Sequence, residues 1–236
     1  GITGNLKREK KLLISQLPVG TMNDVGNMYG FTKKLLVNAQ MVINGTNKNI
    51  DVCMLNDTPF VYVACLGSYV DVSYSTPRSF KKKYGRLAYV FSAIHALRDK
   101  VQLFDLTYEI DGTKKSGTYS FIFITNTSRM GGISNIYEDV KLNDNKFEVI
   151  LISAKKKPEL FFLANKVLTG KVRNMPGLEH FKTNNFKVVF DKVPPSWVID
   201  GEEFKHNTKS FNFRINKEIN MRVPSKNIVK LFIDEE

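Results

Sequence analysis

The residues of this chain whose types and spacing could do chemistry are a Gly-Thr pair ahead of a helix and a few carboxylates at turns and strand ends. Leu17-Pro18-Val19-Gly20-Thr21-Met22-Asn23-Asp24 follows the apolar run Leu12 to Leu17, which suits a short buried strand that Pro18 and Gly20 end sharply. A helix is expected next. Thr21 and Asp24 stand at the spacing of an N-cap hydroxyl and an acidic third residue, where each can satisfy amides that a first helical turn leaves free. The same amides and the helix dipole can hold phosphate oxygens, and Gly20 lets a ligand approach the backbone. Four residues alone read more simply as a capping box. Glu202 follows Asp200-Gly201, a tight hairpin turn that sets a carboxylate at a sheet rim, although Asp111-Gly112 offers the same dipeptide as an ordinary hairpin. Asp51, behind Ile50, opens an apolar strand, a place where a carboxylate is ordinarily a solvated strand end.

The elements that must position these residues change character along the chain. Asn23 to Tyr29 and Lys34 to Ile43 read as helices, the second with Leu35, Leu36, Ala39, Met41, Val42 and Ile43 as its buried face. From about Asn47 the signal is strands rich in Val, Ile, Phe and Tyr. Phe104, Leu106, Tyr108 and Ile110 alternate with Asp105, Thr107, Glu109 and Asp111, the pattern of a strand with one wet face. Two helical interruptions are expected, Arg78 to Leu97 and Pro158 to Thr169, the latter opened by Pro158 and stopped by Gly170.

A chain of 236 residues with 42% hydrophobic and 25% charged residues is that of a folded domain, not a disordered segment. The net charge of +12 predicts an anionic partner without choosing between nucleic acid and an acidic membrane face. Cys53 and Cys65, in apolar strand-like surroundings, read as free buried thiols, and the three His are isolated from one another. The apolar run Phe60 to Leu66 is too short to span a bilayer, and a reducing cytoplasm fits best.

In order along the chain, Gly20-Thr21-Met22-Asn23-Asp24 resembles the Gly-Thr-x-Asn-Asp motif of the diacylglycerol kinase family of soluble lipid kinases. Asp51, the strand Phe60 to Gly67 and the basic Lys81 to Tyr89 match the segments that follow. Asn126 with Gly131-Gly132, Leu142 to Phe147, and Asp200-Gly201-Glu202 match the later ones. The resemblance spans almost the whole chain. The family's Gly-Gly-Asp-Gly-Thr nucleotide-binding run does not occur in it, so the chain looks like a C-terminal portion.

The resemblance implies a mainly β (α+β) fold. Residues 1–45 would be a remnant of an α/β nucleotide-binding domain and 46–236 a β-rich sandwich with two packed helices. It implies Glu202 as the base that accepts the lipid hydroxyl proton and Asp51 as an assisting carboxylate in the cleft. Gly20, Thr21, Asn23 and Asp24 would lie on the nucleotide side, with ATP and Mg²⁺ as cofactors. A structural Mg²⁺ site would use the Asp144 carboxylate with the carbonyls of Lys141 and Lys146. Asn143 and Asn145 replace the usual flanking Asp and Gly, and a plain hairpin turn fits that loop equally well. Arg78, Lys81, Lys82, Lys83 and Arg86, with Lys155 to Lys157, Lys171 and Arg173, are a solvated surface or a peripheral docking face for the anionic membrane that carries the lipid substrate. The expected function is a lipid kinase making phosphatidic acid or a related phospholipid, cytoplasmic and peripherally membrane-associated. The 236 residues alone are expected to be inactive. A homodimer stays open. The alternative is a non-catalytic lipid- or membrane-binding module of the same fold; a nucleic-acid partner is not expected, because charge alone would support it.

Overall fold

The computed structural model describes residues 12–20, 23–67, 101–130, 133–134, 139–156, 158–160, 162–163 and 175–233. Two antiparallel sheets face each other, as the strand-rich sequence predicts. The first runs in the order β3 (Thr58–Phe60), β2 (Thr46–Leu55), β15 (Ser210–Val223), β12 (Asn185–Phe190), β5 (Phe104–Ile110), β6 (Thr113–Tyr119). The second runs β11 (Leu178–Thr183), β10 (Phe147–Ile152), β7 (Phe121–Thr125), β4 (Val63–Gly67), β13 (Trp197–Ile199), β14 (Glu202–Phe204). A small ribbon pairs β8 (Arg129–Met130) with β9 (Ile133–Ser134).

Alternation builds the core. Leu106, Tyr108 and Ile110 of β5 and Phe186, Val188 and Phe190 of β12 point between the sheets and meet Phe147, Val149 and Leu151 of β10 around Trp197. A second cluster uses the other side of the second sheet, where Ile150 and Ile152 pack with Leu142, Met28, Tyr29 and Leu231. The long strand β15 serves both clusters. Phe211 and Phe213 enter the first and Met221 and Val223 the second, although all four are odd-numbered. A bulge between Ile215 and Lys217 inserts one residue and reverses the facing of everything after it. Beyond the end of β12, β15 accepts β1 (Leu13–Ile14) as a parallel neighbour at Asn220 and Met221.

Three expectations are corrected. The strand expected over Leu12 to Leu17 shrinks to β1, and Leu12, Leu13 and Leu17 are exposed, because only one side of that strand has a partner. The helix expected over Asn23 to Tyr29 is α1 (Asp24–Met28), whose N-cap position is Asn23, in a left-handed conformation with no side-chain cap bond. In α2 (Leu35–Ile43) the apolar face is split: Met41 and Val42 pack against the second cluster, while Leu35, Leu36 and Ile43 are turned outward. Leu35 is 51% and Leu36 86% exposed, and the one buried residue is Asn38. Tertiary bonds decide this orientation: Arg222 of β15 donates to the Val42 and Ile43 carbonyls at the C-terminal end of α2, at 2.9 and 2.7 Å. Meanwhile Asn38 accepts the Thr32 N–H and hydroxyl and returns a bond to the Thr32 carbonyl. Pro158 to Leu160 is helical as expected, while much of the remainder to Thr169, and all of Arg78 to Leu97, lies outside the described residues. A last helix, α3 (Ile228–Leu231), closes the second cluster. Among the described residues no helix is long and apolar enough to cross a membrane.

Candidate active site

The two Asp-Gly hairpins share a backbone and differ in what their carboxylates do. Asp111 and Gly112 have φ of 49° and 76°, Asp200 and Gly201 of 50° and 94°, the left-handed pair that a two-residue hairpin turn requires. Among the described residues the Asp111 carboxylate is hydrogen-bonded to the hydroxyl of Thr183, at 3.3 Å. The Asp200 carboxylate accepts three backbone N–H groups, from Val61, Tyr62 and Val63, at 3.0, 3.0 and 2.9 Å. It thereby pins the turn between β3 and β4 to the β13–β14 hairpin. Partial desolvation raises the Asp200 pKa, a rise its three amide donors oppose. Glu202 is the first residue of β14, paired with Ile199, exposed at the rim.

From that pinned turn the network continues to α1. The Tyr62 hydroxyl donates to Asp24 Oδ2 at 2.7 Å, and Arg129 Nε of β8 donates to Asp24 Oδ1 at 3.2 Å. Asp24 is buried, so its charge is held where these two donors compensate it. It thereby latches α1 to the sandwich. Asn23 folds the preceding turn, accepting the Gly20 N–H at 2.7 Å and donating to the Gly20 carbonyl at 2.6 Å. The Gly20 amide is thus paired within the turn, and Thr21 lies outside the described residues. Gly26 is required for close packing: a β-carbon there would sit 2.6 Å from the Pro18 ring, so Pro18 docks on α1 only because Gly26 has none.

Asp51 lies on the same side of β2 as Cys53 and Leu55, at the end of the core, and is buried, not a solvated strand end. Asn145, at the apex of the Leu142 to Phe147 loop with φ of 56°, donates its N–H to Asp51 Oδ2 at 2.7 Å. The Asp51 N–H goes to the Leu142 carbonyl at 2.8 Å. Loop and carboxylate clamp each other. Burial pushes the Cys53 thiol well above its ordinary pKa, and the charges of Asp51 and Asp200 push it further, so both carboxyl groups act on one sulfur.

Between these elements lies a cavity of about 380 Å³, lined mainly by apolar groups that include Val25 and Met28 of α1, Ile50, Val61 and Leu142. Asn126, 1% exposed, is among its lining residues, and its Oδ1 has no hydrogen-bond partner among the described residues. Its Nδ2 leans toward the Asp51 carbonyl at 3.4 Å. A groove of about 220 Å³ at the Asp111 hairpin shares no residue with this cavity. Asp24, Asp51 and Glu202 do not line this cavity themselves; Val25 and Ile50, the chain neighbours of Asp24 and Asp51, do, as does Val61 of the turn that Asp200 pins. Tyr62 and Arg129 are not picked out by sequence reasoning, and Asp200 enters only as part of a motif; the matches at Phe60 to Gly67, at Asn126 with Gly131-Gly132 and at Asp-Gly-Glu signalled that these segments matter.

The loop expected to hold a metal is also placed. Asp144 Oδ1 accepts the Lys146 N–H at 3.1 Å, and Asp144 Oδ2 is 2.7 Å from Lys182 Nζ of β11. Lys141 Nζ donates to the Val229 and Phe232 carbonyls, and Asn143 exchanges two hydrogen bonds with the backbone of Ile233. Among the described residues no group of three His, Cys, Asp or Glu could hold a metal ion.

The family model of the YegS C-terminal NAD kinase beta sandwich-like domain matches residues 68–215, more than half of the chain. The chain belongs to this family. The diacylglycerol kinase of Bacillus subtilis (strain 168) is 27% identical over 203 residues, 85% of this chain and 66% of that protein. The diacylglycerol kinase of Staphylococcus aureus (strain JH9) is 26% identical over 192 residues, 81% of this chain and 58% of that protein. The chain thus spans less than two thirds of the length of these relatives. A Bacillus anthracis str. Sterne crystal structure of a diacylglycerol kinase superposes with a TM-score of 0.67 at 17% identity, covering 94% of this chain and 72% of that one. Another from the same organism, provisionally named a diacylglycerol kinase, gives 0.76 at 18% identity, covering 96% and 74%. The YegS-type sandwich is thereby the fold of this chain, and its relatives by sequence are kinases.

Proposed function

We propose that this chain is the lipid-substrate side of an ATP-dependent lipid kinase, which phosphorylates the hydroxyl of diacylglycerol or a related lipid to give a phospholipid such as phosphatidic acid. The observation that carries the reading is the apolar cavity with one buried, unpartnered acceptor, Asn126 Oδ1, bounded by Val61 of the turn that Asp200 pins. An apolar lining suits the body of a lipid, and a lone acceptor suits its hydroxyl donor. The names of the relatives point the same way.

In this reading Glu202 accepts the hydroxyl proton as the lipid oxygen bonds to the γ-phosphorus and the bond to the departing ADP breaks. Glu202 suits that part because it is exposed at the rim beside a pinned turn. Asp51, clamped by Asn145, orients the reacting region. The Gly20 to Asp24 turn, with Thr21, borders the nucleotide, which brings Mg²⁺ to neutralise its phosphate charge. Lys81, Lys82 and Lys83 with their basic neighbours hold the enzyme on the anionic membrane where the lipid lies.

The test is transfer of radiolabelled phosphate from ATP to diacylglycerol in mixed micelles by the full-length protein that contains this chain. Glu202→Gln keeps the shape and removes the base, so turnover should fall by roughly 100-fold or more. Asp111→Asn, at the matching hairpin, should leave it unchanged. Equal effects at the two positions would remove Glu202 from the mechanism, and binding of lipid vesicles without any transfer would make the protein a binding module.

A further inference from the structure

The loop from Leu142 to Phe147 has the outline of a cation site, and a cation already sits beside it. Lys182 Nζ lies 2.7 Å from Asp144 Oδ2, donates to the Asp139 carbonyl at 3.0 Å, and is 3.9 Å from Glu148 Oε1. Three oxygens from three separate positions converge on one nitrogen. The Asp144 and Asp139 oxygens are within hydrogen-bond reach of the ammonium and Glu148 adds its charge from farther off, while the lysine is anchored by its own strand. Glu148 is buried, and its second oxygen lies 2.6 Å from His180 Nε2.

The donor chemistry does not suit a divalent ion in addition. Mg²⁺ wants several hard oxygens, carboxylates foremost. Asp144 is the sole carboxylate of the loop. Its flanks are amides, Asn143 bound to the backbone of Ile233 and Asn145 turned to Asp51 through its N–H. An ion on Asp144 would also meet the Lys182 charge across a single oxygen.

We infer that the Lys182 ammonium takes the place of a structural metal ion in this loop. It acts through the loop: with Asp144 held by Lys182, Asn145 presents its N–H to the buried Asp51 carboxylate. Lys182 is a positioning residue, and the inference holds whether or not Asp51 takes part in phosphoryl transfer.

Thermal melting and calorimetric titration with Mg²⁺ on the purified 236-residue chain test this. Wild type should melt at the same temperature in EDTA and in millimolar Mg²⁺. Lys182→Met should melt about 4 °C or more lower in EDTA. Mg²⁺ should restore part of that loss in Lys182→Met and none of it when Asp144→Asn is added. Saturable stabilisation of wild type by Mg²⁺, lost in Asp144→Asn, would overturn the inference. So would a Lys182→Met chain that melts like wild type, or one that melts lower and ignores Mg²⁺. Should Lys182→Met fail to fold, the comparison of wild type with Asp144→Asn under Mg²⁺ still decides. No readout uses catalysis, so failure here leaves the kinase reading untouched.

Discussion

At the scale of single residues, carboxylates of the same type are set apart by their partners. Asp111 and Asp200 occupy the same turn geometry, yet Asp200 accepts three amides and Asp111 one distant hydroxyl. Removing an acceptor from partly buried donors costs about 1–2 kcal/mol. Asp200→Ala should therefore lower the unfolding free energy by that amount in urea titrations, while Asp111→Ala changes it by a few tenths. The thiols give a pH prediction. Desolvation raises Cys65 to about 12 and lifts Cys53 well above its ordinary value, helped by Asp51 and Asp200. A raised thiol pKa means less thiolate at any given pH. Both cysteines should resist a thiol-disulfide reagent at pH 8 in the native chain and react at once in denaturant.

At the scale of elements, α1 is a helix of five residues that propensity alone would not hold. Its attachment is the Asp24 latch with Tyr62 and Arg129, together with the seat that Gly26 offers Pro18. Tyr62→Phe removes one hydrogen bond to a charged group, worth about 1.5–3 kcal/mol. Amide exchange over residues 24–31 should quicken accordingly, while β10 and β12 in the core keep their protection. Uniform quickening across the sheets would show that the latch is not local. Strand β15 carries a related lesson: its bulge at Ile215/Lys217 lets a strand of one apolar parity supply two cores.

At the scale of the whole molecule, the net charge of +12 sets long-range behaviour. Under the proposed membrane role, replacing Lys81, Lys82 and Lys83 with Gln should weaken binding to acidic vesicles by about 1 kcal/mol per residue at low salt, with little effect on neutral ones. Wild-type binding should itself fall as salt rises. Co-sedimentation across a salt series checks both, and equal binding by wild type and the triple variant would end the docking idea. Those three lysines lie outside the described residues, so this prediction stands on charge alone.

The features readable from the residues alone are local. Alternation in Phe104 to Ile110 and the dipeptides Asp111-Gly112 and Asp200-Gly201 specified strands and turns, because a two-residue period and a left-handed pair are properties of neighbouring residues. The sandwich was legible in the strand-rich pattern and in the family resemblance that the ordered motifs carry. The outward turn of Leu35, Leu36 and Ile43 in α2 was not: they carry an apolar pattern, but Arg222, far along the chain, holds the C-terminal end of the helix and Asn38 is bound inward by Thr32. Nor were the partners of the site carboxylates. Asp24 meets Tyr62 and Arg129, Asp51 meets Asn145, and Asp144 meets Lys182, each across tens of residues or more. A carboxylate shows its charge in sequence but not its counter-charge, which is fixed when distant strands are brought into register; only the tertiary structure decided that.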